Sequence, residues 1–110
     1  MKKKDQYFYY GKLVTIYGKL LTDHQKNVCE NYYHYDLSLA EISEQLSISR
    51  TAVSEILKLS RLKLDEFEAK LHLYEKETVM TPLLKRLLDQ SSESQQEIIN
   101  QIEDIIKHGI

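Results

Sequence analysis

The sequence has very little of the two residues that punctuate turns. Its 110 residues include three glycines and one proline, where average usage would give about 12–13 of the two together. A fold rich in β-strands needs turn residues every few positions, so this shortage predicts an all-α fold. The three glycines, Gly11, Gly18 and Gly109, also lie too far apart for the common glycine-rich nucleotide-binding motifs.

Residues that carry chemistry are equally scarce. Cys29 is the only cysteine, which excludes a disulfide framework within the chain and a zinc cluster of two or more thiolates. The four histidines are scattered, and nothing in the sequence places a carboxylate pair around a substrate. We therefore predict a non-enzyme with no catalytic residues, no metal site and no cofactor, and we interpret Cys29 as a small core residue.

Long apolar runs are absent as well. No segment approaches the 18 or more apolar residues of a membrane span. The basic start, Met1 to Lys4, is followed by Asp5 and Gln6 rather than by the apolar stretch of a signal peptide. These features predict no membrane insertion and a cytoplasmic location, which also suits one free thiol.

What charge there is divides unevenly along the chain. The formal net charge is −2, but residues 1–63 carry ten Lys/Arg and seven Asp/Glu, whereas residues 64–110 carry five and ten. Non-specific binding of nucleic acid depends on accumulated positive charge. Any nucleic-acid surface is therefore expected in the first 63 residues, and a protein partner is at least as plausible from the total.

The apolar residues that are present follow helical spacing. The pattern predicts a first helix over residues 5–17, and a second that starts at the capping box Thr22–Gln25 and runs to about Tyr35. The capping box Ser38–Glu41 predicts a short third helix, and Ser49 offers an N-cap for a fourth.

The fourth helix is predicted to be the longest, with a row of side chains at heptad spacing that continues to Tyr74. We interpret the rear of this row as a seam for self-association or for a partner, and call it the partner seam: Leu64, Phe67, Leu71 and Tyr74. Thr81 and Pro82 read as the N-cap and first residue of another helix, and the stripe from Ile98 to Ile106 indicates a last one.

These elements suggest two parts. Residues 1–80 form a helical domain that ends in the long fourth helix, and residues 81–110 form a helical hairpin that packs on the long helix or on a subunit partner. The apolar stripes of the rear half exceed what one small globule covers, so a homodimer is expected.

A helix-turn-helix is predicted between Leu37 and Lys63. A short capped helix, a three-residue break and a second capped helix with basic residues are the layout of this motif. In it the first helix braces the second, whose first turns reach base edges in the major groove. The core positions of the motif are expected at Ile42, Leu46, Ile48, Val53 and Ile56.

The candidate nucleic-acid-binding residues are the polar ones on and just before the second helix of the motif. They are Ser49, Arg50, Thr51, Ser54, Glu55, Lys58 and Arg61. Arg50 and Lys58 suit phosphate contacts, and Thr51 and Ser54 suit base contacts. The alternative is a solvated or protein-binding face, because the two cations flank Glu55 and the surface is of mixed sign.

The segment Ser38–Val53 resembles the fourth region of bacterial sigma factors. Ser43 and Ser47 depart from that pattern, which prefers Ala and Gly there. Leu20-Leu21-Thr22-Asp23 with Gln25, Tyr32-Tyr33 and Asp36 to Leu39 precede the motif, and Lys63-Leu64 with Glu68 to Leu71 follow it. In this order the motifs resemble the small bacterial YlxM family, over roughly residues 6–80.

That resemblance implies an all-helical, sigma-like fold and a regulatory role in the signal recognition particle pathway. The implied partners are the protein or the RNA of that particle. Two alternatives stay open on the sequence: a DNA-binding transcription regulator, and a helical interaction module in which the helix-turn-helix is only a scaffold. The run Tyr7 to Tyr10 favours packing or a subunit contact over stacking on bases.

Overall fold

The computed structural model describes residues 3–108, and that part of the chain is helical, with no strand. It contains six α-helices: α1 Lys3–Tyr17, α2 Asp23–Cys29, α3 Leu39–Leu46, α4 Arg50–Leu71, α5 Leu73–Asp89 and α6 Glu93–His108. A 3-10 turn, Gly18–Leu20, follows α1, and a wider π-helical turn, Glu30–His34, extends α2. The predicted all-α fold is confirmed.

Local capping sets the starts of α2 and α6, and at α2 the capping box is the predicted one. Thr22 Oγ1 accepts a hydrogen bond from the backbone N–H of Gln25 at 3.2 Å, and the Gln25 side chain returns one to the N–H of Thr22 at 3.1 Å. Ser92 and Gln95 make the same reciprocal pair before α6. Each pair satisfies two N–H groups that the helix itself leaves unpaired.

The main core lies where α1, α2 and α4 meet. Leu13 and Tyr17 of α1, Val28 and Cys29 of α2 and Leu64 of α4 are all fully buried. Cys29 is thus the small core residue that the sequence predicted, and burial raises the pKa of its thiol. This packing buries the apolar stripe of α1 against α2 and α4, so α1 holds the other helices of the domain together.

The end of the long helix differs from the prediction. The heptad spacing continued to Tyr74, but α4 ends at Leu71, and His72 takes a left-handed conformation with φ of 55°. A new helix, α5, starts at once at Leu73 and carries Tyr74. The predicted start at Thr81 is therefore wrong.

Hydrogen bonds with side chains of α1 and α4 explain this early start. The Glu68 carboxylate of α4 accepts from the backbone N–H groups of Tyr74 at 3.0 Å and of Glu75 at 3.2 Å, and the Tyr17 hydroxyl accepts from that of Leu73 at 3.1 Å. The Tyr17 hydroxyl also donates to Glu68 at 2.6 Å. The first turn of α5 is thus capped by α1 and α4, and we call this junction the elbow. Pro82 lies inside α5.

The two C-terminal helices form a hairpin that packs mainly on α1, where the sequence favoured the long helix. Lys12 of α1 approaches the buried carboxylate of Glu77 at 3.6 Å, and the Tyr9 ring meets Tyr74 edge-on at 5.3 Å. The boundary predicted after residue 80 falls within α5. The radius of gyration, 16.6 Å, exceeds the roughly 13 Å of a compact chain of this length, so the molecule is elongated.

Candidate nucleic-acid interface

The helix-turn-helix consists of α3, a three-residue turn and the first turns of α4. Ser38 caps α3: its hydroxyl accepts from the N–H of Glu41 at 3.1 Å, and the Glu41 carboxylate accepts from the N–H of Ser38 at 3.0 Å. This backbone N–H lowers the pKa of Glu41. Ser49 Oγ accepts from the N–H of Ala52 at 3.0 Å and so caps α4.

The two departures from the sigma pattern have different local consequences. Ser47 ends α3 in the left-handed region, with φ of 57° and ψ of 42°, where glycine is the least strained residue. The Ser43 hydroxyl donates to the carbonyl oxygen of Ile48, and the Ile48 N–H donates to the Ser43 carbonyl at 3.1 Å. Serine at position 43 therefore ties the turn to α3 instead of weakening the contact between the helices.

The five predicted core positions all contribute to the packing of the motif. Ile42 and Val53 are fully buried, and Leu46, Ile48 and Ile56 are partly buried against the same cluster. Because α3 meets α4 through these side chains, the orientation of the first turns of α4 is set by apolar packing rather than by exposed polar contacts.

The outward surface of α4 is where the predicted contacts lie. Five of the candidate residues are exposed on it, and we call them the recognition face: Arg50, Thr51, Ser54, Glu55 and Lys58. Within residues 3–108 neither of its two cations forms an ion pair. Their charges are therefore available to an anion, which agrees with a phosphate role.

The other two candidates are placed differently. Ser49 is exposed, but its hydroxyl is already the cap of α4. Arg61 is only half-buried and turns away from the recognition face, since its Nη1 donates to the Tyr33 hydroxyl at 3.3 Å. Of the seven predicted residues, five thus form the exposed recognition face, Ser49 caps α4 and Arg61 faces the end of α2.

The partner seam does not lie on the surface as a unit. Leu64 is fully buried, Phe67 packs at 5.9 Å from the Tyr17 ring, and Tyr74 packs on Tyr9. Of the four residues only Leu71 is exposed, by 42 %. Heptad spacing found these side chains, but contacts within the molecule cover three of them, so a partner has little to bind here.

Sequence reasoning missed a cluster of tyrosines beside Arg61. Tyr7 and Tyr10 of α1 meet Tyr32 and Tyr33 at the end of α2, with ring centres between 4.9 and 6.1 Å apart. The rings line a cavity of about 350 Å³ together with Gln6 and Arg61. The only sequence signal was the density of tyrosine in two short runs, and it did not indicate that the runs face each other.

Within the range 3–108, no three His, Cys, Asp or Glu side chains come together as metal ligands could. In the same range, no helix combines the length and the apolar composition that a membrane span requires.

The fold and the site define an all-α protein with a helix-turn-helix. A family model described as "Putative helix-turn-helix protein, YlxM / p13 like" matches residues 4–105. The chain belongs to this family, UPF0122, and the resemblance seen in the sequence is confirmed.

Named relatives agree with the family match. A UPF0122 protein of Clostridium kluyveri is 39% identical over 102 residues, which cover 89% of this chain and 92% of the relative. The UPF0122 protein YofM of Lactococcus lactis subsp. lactis is 41% identical over 93 residues, covering 84% and 83%. A UPF0122 protein of Streptococcus gordonii is 40% identical over 77 residues, covering 70% of each chain.

Proposed function

We propose that this protein is a non-enzymatic regulator that binds nucleic acid through the recognition face. The supporting observation is the geometry of the α3–turn–α4 unit: both helices are capped, the turn is fixed, and the polar side chains of α4 are exposed. The first turns of such a helix suit the major groove of duplex DNA. Few phosphate contacts are available, so we expect moderate affinity.

Fluorescence anisotropy with labelled duplex DNA tests this function. Binding should weaken as salt rises, and Arg50→Ala should reduce the slope of log K against log salt by about 1. Lys70→Ala is the matched control, because Lys70 is an exposed cation of the same helix that pairs with Glu66 at 3.1 Å. No binding, binding independent of salt, or equal effects of the two variants would each contradict the proposal.

We also propose a pathway and a compartment for this regulation. The regulated pathway is that of the signal recognition particle, in the cytoplasm, and the partners are its protein or its RNA. Support comes from the family resemblance alone. Pull-down with the purified particle protein and, separately, with its RNA tests it: wild type should retain one of them and the Arg50→Ala, Lys58→Ala double variant should retain less. If the folded wild-type protein retains neither, the proposed role in this pathway is contradicted.

A second candidate function is assembly through the C-terminal hairpin. Six large apolar side chains of α5 and α6 are between 43 % and 73 % exposed, and we call them the hairpin face: Val79, Leu83, Leu87, Ile98, Ile102 and Ile105. Leu87, Ile98 and Ile102 line one groove. An exposed apolar surface of this kind marks an interaction site.

We propose that the occupant is a second copy of the chain. The exposed Lys85 and Arg86 of α5 and the exposed Glu97 and Asp104 of α6 form no ion pair in the described part of the chain. A two-fold axis brings the same face of both copies together, and the opposite charges favour the arrangement that places α5 of one copy against α6 of the other. In such a dimer the helix-turn-helix either serves only as a scaffold or acts together with that of the second copy.

Sedimentation velocity at micromolar concentration tests the dimer. Wild type should sediment as a dimer and Leu87→Asp as a monomer. Phe8→Asp is the control, since Phe8 is 62 % exposed but lies on α1, outside the hairpin. A monomeric wild type, or a dimer that survives Leu87→Asp, rules out this interface.

A further inference from the structure

The tyrosine cavity beside Arg61 has the chemistry of a ligand site. It lies between α1, the end of α2 and the middle of α4, and six residues line it: Gln6, Tyr7, Tyr10, Tyr32, Tyr33 and Arg61. Its volume, about 350 Å³, falls within the range of small-molecule pockets. Such pockets are apolar or aromatic with a few placed polar groups, which describes four rings around one guanidinium.

Hydrogen bonds hold the rings in place. The Tyr10 hydroxyl donates to Asp65 Oδ2 at 3.0 Å. The Tyr7 hydroxyl lies 2.8 Å from the carbonyl oxygen of Tyr32 and 3.1 Å from Asp36 Oδ1. Since these two hydroxyls are engaged, the rings of Tyr7 and Tyr10 offer a ligand a π surface rather than free donors. A fixed arrangement also lowers the entropic cost of binding.

Arg61 is the cation among the residues that line the cavity. The guanidinium has five N–H donors, and one of them is used on the Tyr33 hydroxyl. Within residues 3–108 no carboxylate lies within ion-pair distance of Arg61; Asp36 and Asp65 accept hydrogen bonds from Tyr7 and Tyr10. A half-buried guanidinium with spare donors suits a phosphate, and it repels the organic cations that aromatic cages otherwise bind.

We propose that this cavity binds a nucleotide, with the base against the tyrosine rings and the phosphate on Arg61. A flat π system joined to an anion is what the lining complements, and bases stack on aromatic side chains whatever their sequence. Arg61 lies 11 positions after Arg50 on one helix, a rise of about 16 Å. The nucleotide is either free or an unpaired one within a single strand, and the site does not require duplex binding.

Calorimetric titration with AMP and UMP, and anisotropy with labelled ten-nucleotide oligo(A) and oligo(U), distinguish the two sources. Binding of the mononucleotides indicates a free ligand, and binding of the oligonucleotides alone indicates a strand. In either case Arg61→Ala should weaken binding at least tenfold, and Tyr10→Phe, which keeps the ring, should bind within threefold of wild type. Lys70→Ala is the control, an exposed cation of α4 that lies outside both the cavity and the recognition face.

Two results would overturn the site: no binding of any of the four probes, or binding that Lys70→Ala weakens more than Arg61→Ala does. If Arg61→Ala fails to fold, ring-proton NMR of the wild-type protein decides instead. UMP or oligo(U) should shift the ring resonances of Tyr7, Tyr10 and Tyr32, and unshifted rings reject the proposal. The duplex experiment with Arg50→Ala is separate, so either function can fail alone.

Discussion

The two ends of this molecule bury their apolar residues to very different degrees. The first three helices and α4 enclose a dozen buried apolar side chains in one cluster, from Leu13 to Leu64. The hairpin carries nine Leu and Ile residues between Leu83 and Ile106, but within its described residues, 73–108, it buries only Ile99 and the charged Glu77. The N-terminal part therefore has a core of its own, whereas the hairpin is held by its contacts with α1 and by the elbow.

The largest difference in stability should come from truncating one leucine to alanine in each of the two parts. Leu64 is fully buried, and Leu83 is 55 % exposed. We expect Leu64→Ala to lower the free energy of unfolding by about 2–5 kcal/mol, because it leaves a cavity, and Leu83→Ala by about 0.5 kcal/mol or less. Urea denaturation, at concentrations low enough to keep the chain monomeric, measures both. Equal losses would mean that the hairpin is as well packed as the core.

The next largest effect on stability is expected at the elbow. Glu68→Ala removes the acceptor for two backbone N–H groups of α5 and for the Tyr17 hydroxyl, which should cost about 1–3 kcal/mol. Glu66→Ala removes only an exposed pair with Lys70 and should cost about 0.5 kcal/mol at most. Amide hydrogen exchange should speed up in α5 and α6 before it does in α2. Uniform acceleration would contradict a separate role for the elbow.

The titration of Tyr17 at alkaline pH tests the elbow as well. Burial, with the hydrogen bond to Glu68, raises the pKa of Tyr17 from 10.0 to about 12. A raised folded-state pKa means that this stabilisation is complete below pH 10 and is lost as pH rises toward about 12. Tyr17→Phe should therefore lose stability less steeply over that interval, as followed by circular dichroism. The same slope in both proteins would show that Tyr17 does not titrate in the folded state.

The smallest effect compares two left-handed residues, one in each part. Ser47 ends α3 and His72 forms the elbow, with φ of 57° and 55°. Glycine adopts this conformation without strain, so Ser47→Gly and His72→Gly should each raise the free energy of unfolding by up to about 1 kcal/mol. Thermal unfolding resolves such changes. A loss of stability in either variant would show that its side chain has contacts that outweigh the backbone strain.

Local signals predicted the N-terminal part well and the hairpin poorly, for a physical reason. The caps at Ser38 and Ser49 act within three residues, so their sequence patterns contain the whole interaction. The break at His72 has no glycine or proline to mark it, and its capping groups come from Glu68 and from Tyr17, 56 positions before Leu73. Pro82 was the nearest local signal, and it indicated the wrong start.

The same distinction applies to the candidate sites. The exposure of Arg50 and Lys58 followed from helical periodicity, since it depends on one helix alone. The cavity at Arg61 depends on three elements meeting, and Tyr10 and Asp65 are 55 positions apart. No spacing rule within one helix contains that information. Heptad spacing likewise located the partner seam without showing that Tyr9 and Tyr17 cover it.

One uninterrupted helix joins both ends of the molecule. The 22 residues of α4 span about 33 Å, with the recognition face at one end, Arg61 midway and Glu68 at the other. A regular helix advances by a fixed distance per residue, so the length of α4 sets the separation between the recognition face and the elbow. The burial of Leu57 and Leu64 in the core holds the middle of this helix in place.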